Sequence, residues 1–72
     1  MHFLHQIVTS LYVYSLYEED SHALLHVVNL RTEKSRDITD PDQILEILFF
    51  NPEVTPQDYE VVEDLVSCCK HS

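Results

Sequence analysis

The absence of glycine is the feature that most restricts the folds open to this chain. None of its 72 residues is glycine, so no position has the backbone freedom on which left-handed turns normally rely. Tight hairpin turns of the primed types must therefore be rare or built from Asn and Asp, and slightly longer loops are expected. The same absence excludes a phosphate-binding loop, a dinucleotide-binding fingerprint and a nucleophile elbow, together with the enzymes built on them.

The length of the chain limits its function further. A sequence of 72 residues makes one domain, which we expect to span residues 1–72. A domain of this size buries only about 60% of its unfolded surface, so a deep catalytic cleft is not expected. Hydrophobic residues make up 44% of the sequence, which is enough for a core. We therefore predict a domain that binds a partner, catalyses no reaction and needs no cofactor.

The charge balance indicates the kind of partner. Thirteen acidic residues and four basic ones give a formal net charge of −9. Binding to nucleic acid or to an anionic membrane needs clustered Lys and Arg, which this sequence lacks. A partner with a basic surface is favoured instead, because the negative potential attracts it. The alternative is that the acidic residues only keep the protein soluble.

The cysteines and the N-terminal segment bear on localisation. Cys68 and Cys69 are adjacent and cannot close a useful disulfide loop, which is typical of a reducing, cytoplasmic setting. The first seventeen residues contain no Asp, Glu, Lys or Arg. They nevertheless lack the basic start of a signal peptide and fall short of the roughly 20 apolar residues of a membrane span. We expect a core strand with its lead-in, in a cytoplasmic protein.

Strand patterns occupy the first half of the chain. Residues 7–17 are rich in β-branched and aromatic side chains and predict a first strand. A polar break at residues 18–21 and a second apolar run at residues 22–31 predict a hairpin with a four-residue loop. A turn at residues 32–34 and a third strand at residues 35–38 would complete a meander. The alternative is that Ser21 caps a helix through residues 23–25.

Two helices are predicted in the second half. Residues 40–43 (DPDQ) and 55–58 (TPQD) each place an N-cap residue before a proline, which is a helix start signal. The first helix runs from residue 41 to about 50 and is apolar on nearly every side, so other elements must cover it. The second runs to about residue 69 and buries one stripe, formed by Tyr59, Val62, Leu65, Val66 and Cys69. The predicted helical core residues are Ile44, Ile47, Leu48, Val62, Leu65 and Val66.

The order of elements predicts an α+β fold, a three-stranded antiparallel meander with both helices packed on one face. Side chains alternate along strands, and both faces of the hairpin are apolar. One carries Leu11, Val13, Leu24, Val28 and Leu30, and the other carries Tyr12, Tyr14, Leu16, Leu25 and Val27. Two short helices can cover one face only. We expect the other, the face with the tyrosines, to be a dimer or partner surface, unless the N-terminal segment folds back over it.

Two groups of residues could hold a metal ion, although none is expected. His22 and His26 would share a face of a helix, but on a strand they lie roughly 13 Å apart. Cys68, Cys69 and His71 form a second group, which lacks the spacer of a zinc knuckle. A small metal-binding protein is therefore an alternative hypothesis.

The acidic residues suit binding better than catalysis. General acid–base work needs carboxyl groups in a sheltered site, whereas these lie in turns and on the exposed side of the second helix. Regularly spaced carboxylates could instead imitate a nucleic-acid backbone and attract a basic groove. The residues predicted to bind the partner are Tyr12, Tyr14, Tyr17, Glu18, Glu19, Asp20, Glu60, Glu63 and Asp64.

Several short matches resemble the middle of small phage-encoded anti-CRISPR proteins of type I-F. They are Tyr17-Glu18, Ser21, Val27-Val28-Asn29 and Arg36-Asp37 before an acid-capped helix, spread with gaps over residues 13–66. That family has the same order of strands followed by two helices. This sequence lacks its glycine turns and the acidic residue of its second strand, so Tyr17 is the one contact residue carried over.

The resemblance implies a function. It indicates a stoichiometric inhibitor that docks on the nucleic-acid-binding backbone of a bacterial CRISPR surveillance complex and excludes target DNA. The partner would be a larger protein or ribonucleoprotein with a basic surface, in agreement with the composition. The rival hypothesis is a structural, homo-oligomerising protein with no inhibitory role, dimerising through the hairpin.

Overall fold

The computed structural model of this chain describes residues 1–70. Four strands precede two helices: β1 (His2–Val8), β2 (Tyr12–Glu19), β3 (His22–Asn29), β4 (Ser35–Ile38), α1 (Pro41–Phe49) and α2 (Pro56–Lys70). The strands form one antiparallel sheet in the order β1-β2-β3-β4, so each strand pairs with its neighbours in sequence. The predicted α+β class and the antiparallel sheet followed by two helices are confirmed. Within the described residues, neither helix is long and apolar enough to cross a membrane.

The prediction of three strands is wrong, because the predicted strand at residues 7–17 is interrupted by a turn at residues 9–11. The backbone N–H of Thr9 donates to the carbonyl oxygen of Tyr12 at 2.8 Å, and the Thr9 hydroxyl accepts from the N–H of Tyr12 at 3.1 Å. The carboxylate of Glu53 accepts hydrogen bonds from the backbone and side chain of Ser10. These side-chain bonds satisfy the turn without glycine or proline. The N-terminal residues form an edge strand instead of folding over the sheet.

The β2–β3 hairpin is tighter than predicted. Glu19 pairs with His22, which leaves a loop of two residues where four were expected. Asp20 and Ser21 have φ values of 52° and 65°, the left-handed conformation that a two-residue primed turn requires. Asp is one of the few residues besides glycine that tolerate this region. β3 is a strand, so the alternative helix beginning after Ser21 is wrong.

The β3–β4 loop also bends without glycine. The side-chain oxygen of Asn29 accepts hydrogen bonds from the backbone N–H groups of Arg31 and Thr32. Glu33 has a φ of 61°, and its N–H donates to the carbonyl oxygen of Asn29 at 2.8 Å. The predicted turn is present but begins two residues earlier than expected, because β3 ends at Asn29 and the loop spans residues 30–34.

Capping side chains begin both helices where the sequence predicts. The Asp40 side chain accepts from the N–H of Asp42 at 3.0 Å, with a proline at the start of α1. At α2, the hydroxyl of Thr55 accepts from the N–H of Asp58 at 3.2 Å and donates to its carboxylate at 3.1 Å. Each cap satisfies a backbone donor that has no partner within its helix.

Both helices pack on one face of the sheet. The most deeply buried large side chains come from the sheet and the helices alike: Leu16, Leu25, Ile44, Leu48, Val62 and Val66. The predicted core residues Ile47 and Leu65 are partly buried against this cluster. The expectation that α1 is covered on nearly every side is wrong, since Phe49 and Phe50 are 68% and 71% exposed. The ring of Phe49 meets Tyr59 of α2 edge to face, with centroids 5.9 Å apart, but most of both phenylalanine side chains stays exposed to solvent.

We predict that Leu48→Ala lowers the free energy of unfolding by about 2–5 kcal/mol, because it opens a cavity in the core. The matched control is Phe49→Ala, which removes a larger but mostly exposed side chain from the next position of the helix. Urea denaturation of both variants measures the difference. Equal destabilisation by the two substitutions would show that the buried side of α1 is misassigned.

We predict that Glu33→Gly stabilises the protein by up to about 1 kcal/mol. Glycine relieves the steric cost of the left-handed conformation, while the greater freedom of the unfolded chain offsets part of the gain. The control, Thr32→Gly, changes a neighbouring residue that is not among those with positive φ and should destabilise. A lower melting temperature for Glu33→Gly than for the parent protein would contradict the assigned turn.

Candidate protein-binding surface

The face of the sheet that bears Tyr12 and Tyr14 is the face that the helices cover. Tyr14 is 3% exposed, and its hydroxyl oxygen accepts a hydrogen bond from the side-chain amide of Asn51 at 2.8 Å. Burial raises the pKa of Tyr14, and the bond from Asn51 opposes part of that rise. Tyr12 stacks on Tyr14 with ring centroids 5.7 Å apart. The expectation that the tyrosine-bearing face is the uncovered one is wrong, because the helices pack on it and alternation places Tyr12 and Tyr14 on the same side as the buried Leu16. Tyr14 is buried, whereas Tyr12 is half-buried.

The opposite side of the sheet is covered by neither helix, and we call it the open face. The strand register arranges its side chains in three rows that run across the strands. The first row is apolar, the second polar and the third mostly apolar. The first contains Phe3, Tyr17 and Leu24, the second Gln6, Ser15, His26 and Asp37, and the third Val8, Val13, Val28 and Ser35.

The side chains of the polar row of the open face hydrogen-bond to one another in two pairs. The Gln6 side-chain amide donates to the hydroxyl of Ser15 at 3.2 Å, and His26 Nδ1 lies 2.6 Å from a carboxylate oxygen of Asp37. Ser15 is only 5% exposed although no helix covers it, because its neighbours close over it. A partner that covers this row would therefore leave each of these four side chains with one hydrogen bond inside the sheet.

Tyr17 lies at the centre of the first apolar row. It makes an edge-to-face contact with Phe3, with ring centroids 5.7 Å apart, and it is opposite Leu24 on β3. Phe3 is 56% exposed. Glu19 follows Tyr17 by two residues and so points to the same face, and Asp20 begins the adjoining turn. This end of the open face places an aromatic pair beside two carboxylates.

Sequence reasoning did not identify Phe3 as part of the surface. The segment before residue 7 was expected to lead into a strand, so its side chains were assigned to no face. The signal that could have found it is the small polar pair at residues 9 and 10, which divides the long apolar run into two strands. A hairpin at that point brings Phe3 against Tyr17.

The remaining predicted acidic residues point elsewhere. Glu18 lies on the helix-covered side of β2, half buried, where it accepts a weak hydrogen bond from Cys69 Sγ at 3.7 Å. Glu60, Glu63 and Asp64 are exposed on α2, on the side away from the sheet. The predicted acidic stripe is therefore present. It faces away from the open face, so one flat partner cannot contact both.

A cleft of about 850 Å³ opens between α1 and one end of the sheet. Tyr12, Tyr14 and Phe50 supply aromatic walls. Two basic residues, Lys34 and Arg36, line it together with two acidic ones, Glu46 and Glu53. Since opposite charges line the same cleft, it shows no clear preference for a cation or an anion.

The histidines and cysteines do not assemble a metal site in the part of the chain that the structure describes. His22 and His26 both lie on β3, where residues four apart are separated by roughly 13 Å. His71, from the other predicted group, lies outside the described residues. Among residues 1–70, no group of three or more His, Cys, Asp or Glu side chains could hold a metal ion.

The comparisons with known proteins assign no family. No protein-family model, curated protein or solved structure matches this chain. What the geometry shows is an uncovered sheet face with apolar rows, an aromatic pair and an acidic end.

We predict that the two thiols differ sharply in reactivity. Cys68 is exposed and Cys69 is buried, and burial, reinforced by the nearby Glu18 carboxylate, raises the pKa of Cys69. Because the thiolate is the reactive form, Cys69 should react slowly at neutral pH. Alkylation followed by mass spectrometry should modify Cys68 first and Cys69 only on unfolding in urea. Cys68→Ser serves as the control, and rapid labelling of folded Cys68→Ser would contradict the burial of Cys69.

Proposed function

We propose that this chain is a small acidic protein-binding module that docks on a basic, nucleic-acid-binding surface of a larger protein and blocks access of nucleic acid. The observation that carries the proposal is the open face, whose apolar row around Tyr17 adjoins the acidic end at Glu19 and Asp20.

The open face supplies the contact. Phe3 and Tyr17 present a preassembled aromatic pair, and aromatic residues are enriched among the side chains that dominate binding energy. A second apolar row lies on the other side of the polar row and consists of Val8, Val13 and Val28. It widens the apolar area of the open face. Apolar area left uncovered on a sheet of this size is typical of an interaction surface.

The acidic residues supply selectivity and fast encounter. A net charge of −9 repels nucleic acid and attracts a surface evolved to bind it. Glu19 and Asp20 lie beside the contact row, so they are the carboxylates placed to meet basic side chains of the partner. The acidic stripe on α2 points away from the contact and adds to the long-range attraction only.

The resemblance to type I-F anti-CRISPR proteins supports one choice of partner. The nucleic-acid-binding backbone of a bacterial CRISPR surveillance complex is a large, basic surface of the required kind. Tyr17, the residue carried over from that resemblance, lies in the contact row of the open face. An inhibitor acting there binds stoichiometrically and excludes target DNA without cleaving anything.

To test the proposal, a partner is captured from bacterial lysate with this protein as bait. The protein should then reduce the amount of nucleic acid that the captured partner binds. Tyr17→Ala should weaken the complex by ~2 kcal/mol or more, mainly through faster dissociation. The control is Phe49→Ala, which removes an exposed aromatic ring from the opposite layer and should leave the dissociation rate unchanged. Surface plasmon resonance gives both rates, and an electrophoretic mobility shift assay gives the inhibition.

A pair of charge reversals tests the orientation of the complex. Glu19→Lys and Glu63→Lys change the net charge equally but lie on opposite sides of the molecule. We expect Glu19→Lys to slow association more, and added salt to slow the association of the parent protein. Unchanged nucleic-acid binding by the partner, or equal effects of Tyr17→Ala and Phe49→Ala, would contradict the proposal.

A further inference from the structure

β1 is an outer strand that carries neither proline nor any Asp, Glu, Lys or Arg. It pairs with β2 alone, spans seven residues, and lies in the N-terminal seventeen residues that carry no Asp, Glu, Lys or Arg. Edge strands in soluble proteins are normally short, or carry charges or proline, because they otherwise recruit another strand. The other edge strand fits that rule: β4 has four residues, among them Arg36 and Asp37.

The backbone of β1 has groups free to pair. Thr9 donates its N–H to Tyr12 of the neighbouring strand. The backbone N–H of Thr9 thus points towards β2. Along an antiparallel edge strand, residues whose backbone N–H and C=O groups point towards the neighbouring strand alternate with residues whose groups point away from it. The N–H and C=O groups of Gln6 and Val8 therefore point away from β2. The register shifts between Phe3 and His5. The regular part of the edge strand therefore runs from His5 to Val8. β2 and β3 each already pair with two strands. At this side of the sheet, a further strand can therefore pair with β1 but not with the β2–β3 hairpin.

An apolar strip on α2 flanks the same edge. His5 Nε2 lies 3.1 Å from a carboxylate oxygen of Asp58, which fixes the first turn of α2 against β1. Val61 and Leu65 follow Asp58 by three and seven residues, so they lie on the same side of the helix. Val61 is 41% exposed, and Leu65 is only partly buried.

We propose that β1 pairs with β1 of a second copy of this chain, in antiparallel orientation about a twofold axis. Elsewhere two copies of net charge −9 repel each other. At this edge each copy presents a strand without Asp, Glu, Lys or Arg and the apolar side chains of Val61 and Leu65 beside the His5–Asp58 pair, and antiparallel pairing of identical strands is self-complementary. The product is a continuous sheet in which the open faces of the two copies adjoin. This inference does not depend on the proposed function.

The molar mass in solution tests the pairing. Sedimentation velocity from about 1 μM to about 1 mM protein should show the 8.5 kDa chain giving way to a species of twice that mass as concentration rises. Added salt should strengthen the dimer, since it screens repulsion between like charges. The proposed complex with a basic partner should respond to salt in the opposite direction, so the two proposals fail separately. A single 8.5 kDa species throughout would overturn the dimer.

Two variants locate the contact. Val8→Pro removes an outward N–H at an edge position that tolerates proline in the single chain, and it should raise the dissociation constant roughly tenfold or more. Val61→Glu should do the same by placing like charges at the interface. The matched controls are Val8→Thr, which keeps the N–H, and Glu63→Gln on the outer side of α2. Both controls should retain the dimer.

Hydrogen exchange gives an answer that does not depend on the folding of any variant. The amides of Gln6 and Val8 should exchange rapidly at low concentration, where the single chain dominates, and slowly at high concentration. A dimer that leaves these two amides unprotected would show that the copies meet elsewhere. A dimer that survives both Val8→Pro and Val61→Glu in folded form would show the same.

Discussion

The contact between one face of the sheet and two short helices is the interaction on which the rest of this structure depends. Leu16 and Leu25 from the sheet meet Ile44, Leu48, Val62 and Val66 from the helices, and each of these side chains is at most 1% exposed. Helices of nine and fifteen residues cover one side of the four-stranded sheet, and no other helix or strand within residues 1–70 covers the opposite side. The open face follows from this limit, because strands place every second side chain on the uncovered side.

Charge is distributed unevenly over the same framework. The uncharged N-terminal residues form β1 and most of β2, while the carboxylates concentrate at the β2–β3 turn, the α1–α2 region and the outer side of α2. The molecule therefore has an acidic helical side and a less charged sheet side with one unprotected edge. The proposed basic partner and the proposed second copy of the chain would bind different parts of it. The two proposed interactions should respond to ionic strength with opposite signs, since one brings unlike charges together and the other like charges.

The sequence predicts the helical half of the fold better than the strand half. Proline after Asp40 and after Thr55 marks both helix starts, because a capping side chain and a fixed φ act locally. The pattern of apolar residues merges the first two strands, although Thr9 and Ser10 form a turn through hydrogen bonds to Tyr12 and Glu53. The small polar pair itself is the one local sign of that turn. The choice of face was wrong for a related reason. Both faces of the hairpin are apolar, and the contact that decides between them, helix packing on Leu16 and Leu25, is long-range.

Only Tyr17, Glu19 and Asp20 of the predicted partner residues lie at the open face, and Phe3 joins them through a strand that was not predicted.

The exposure of the two faces can be measured directly with methyl-resolved NMR and a soluble paramagnetic relaxation agent, at a protein concentration low enough to keep single chains. Methyl groups of Val8, Val13 and Val28 should relax strongly, because they lie on the open face, while those of Ile44, Leu48 and Val62 should be shielded by the core. A clear separation between the relaxation rates of the two sets of methyl groups is expected. Val13 and Val28 shielded as fully as Val62 would contradict it, since the sheet would then have no uncovered face with which to bind a partner.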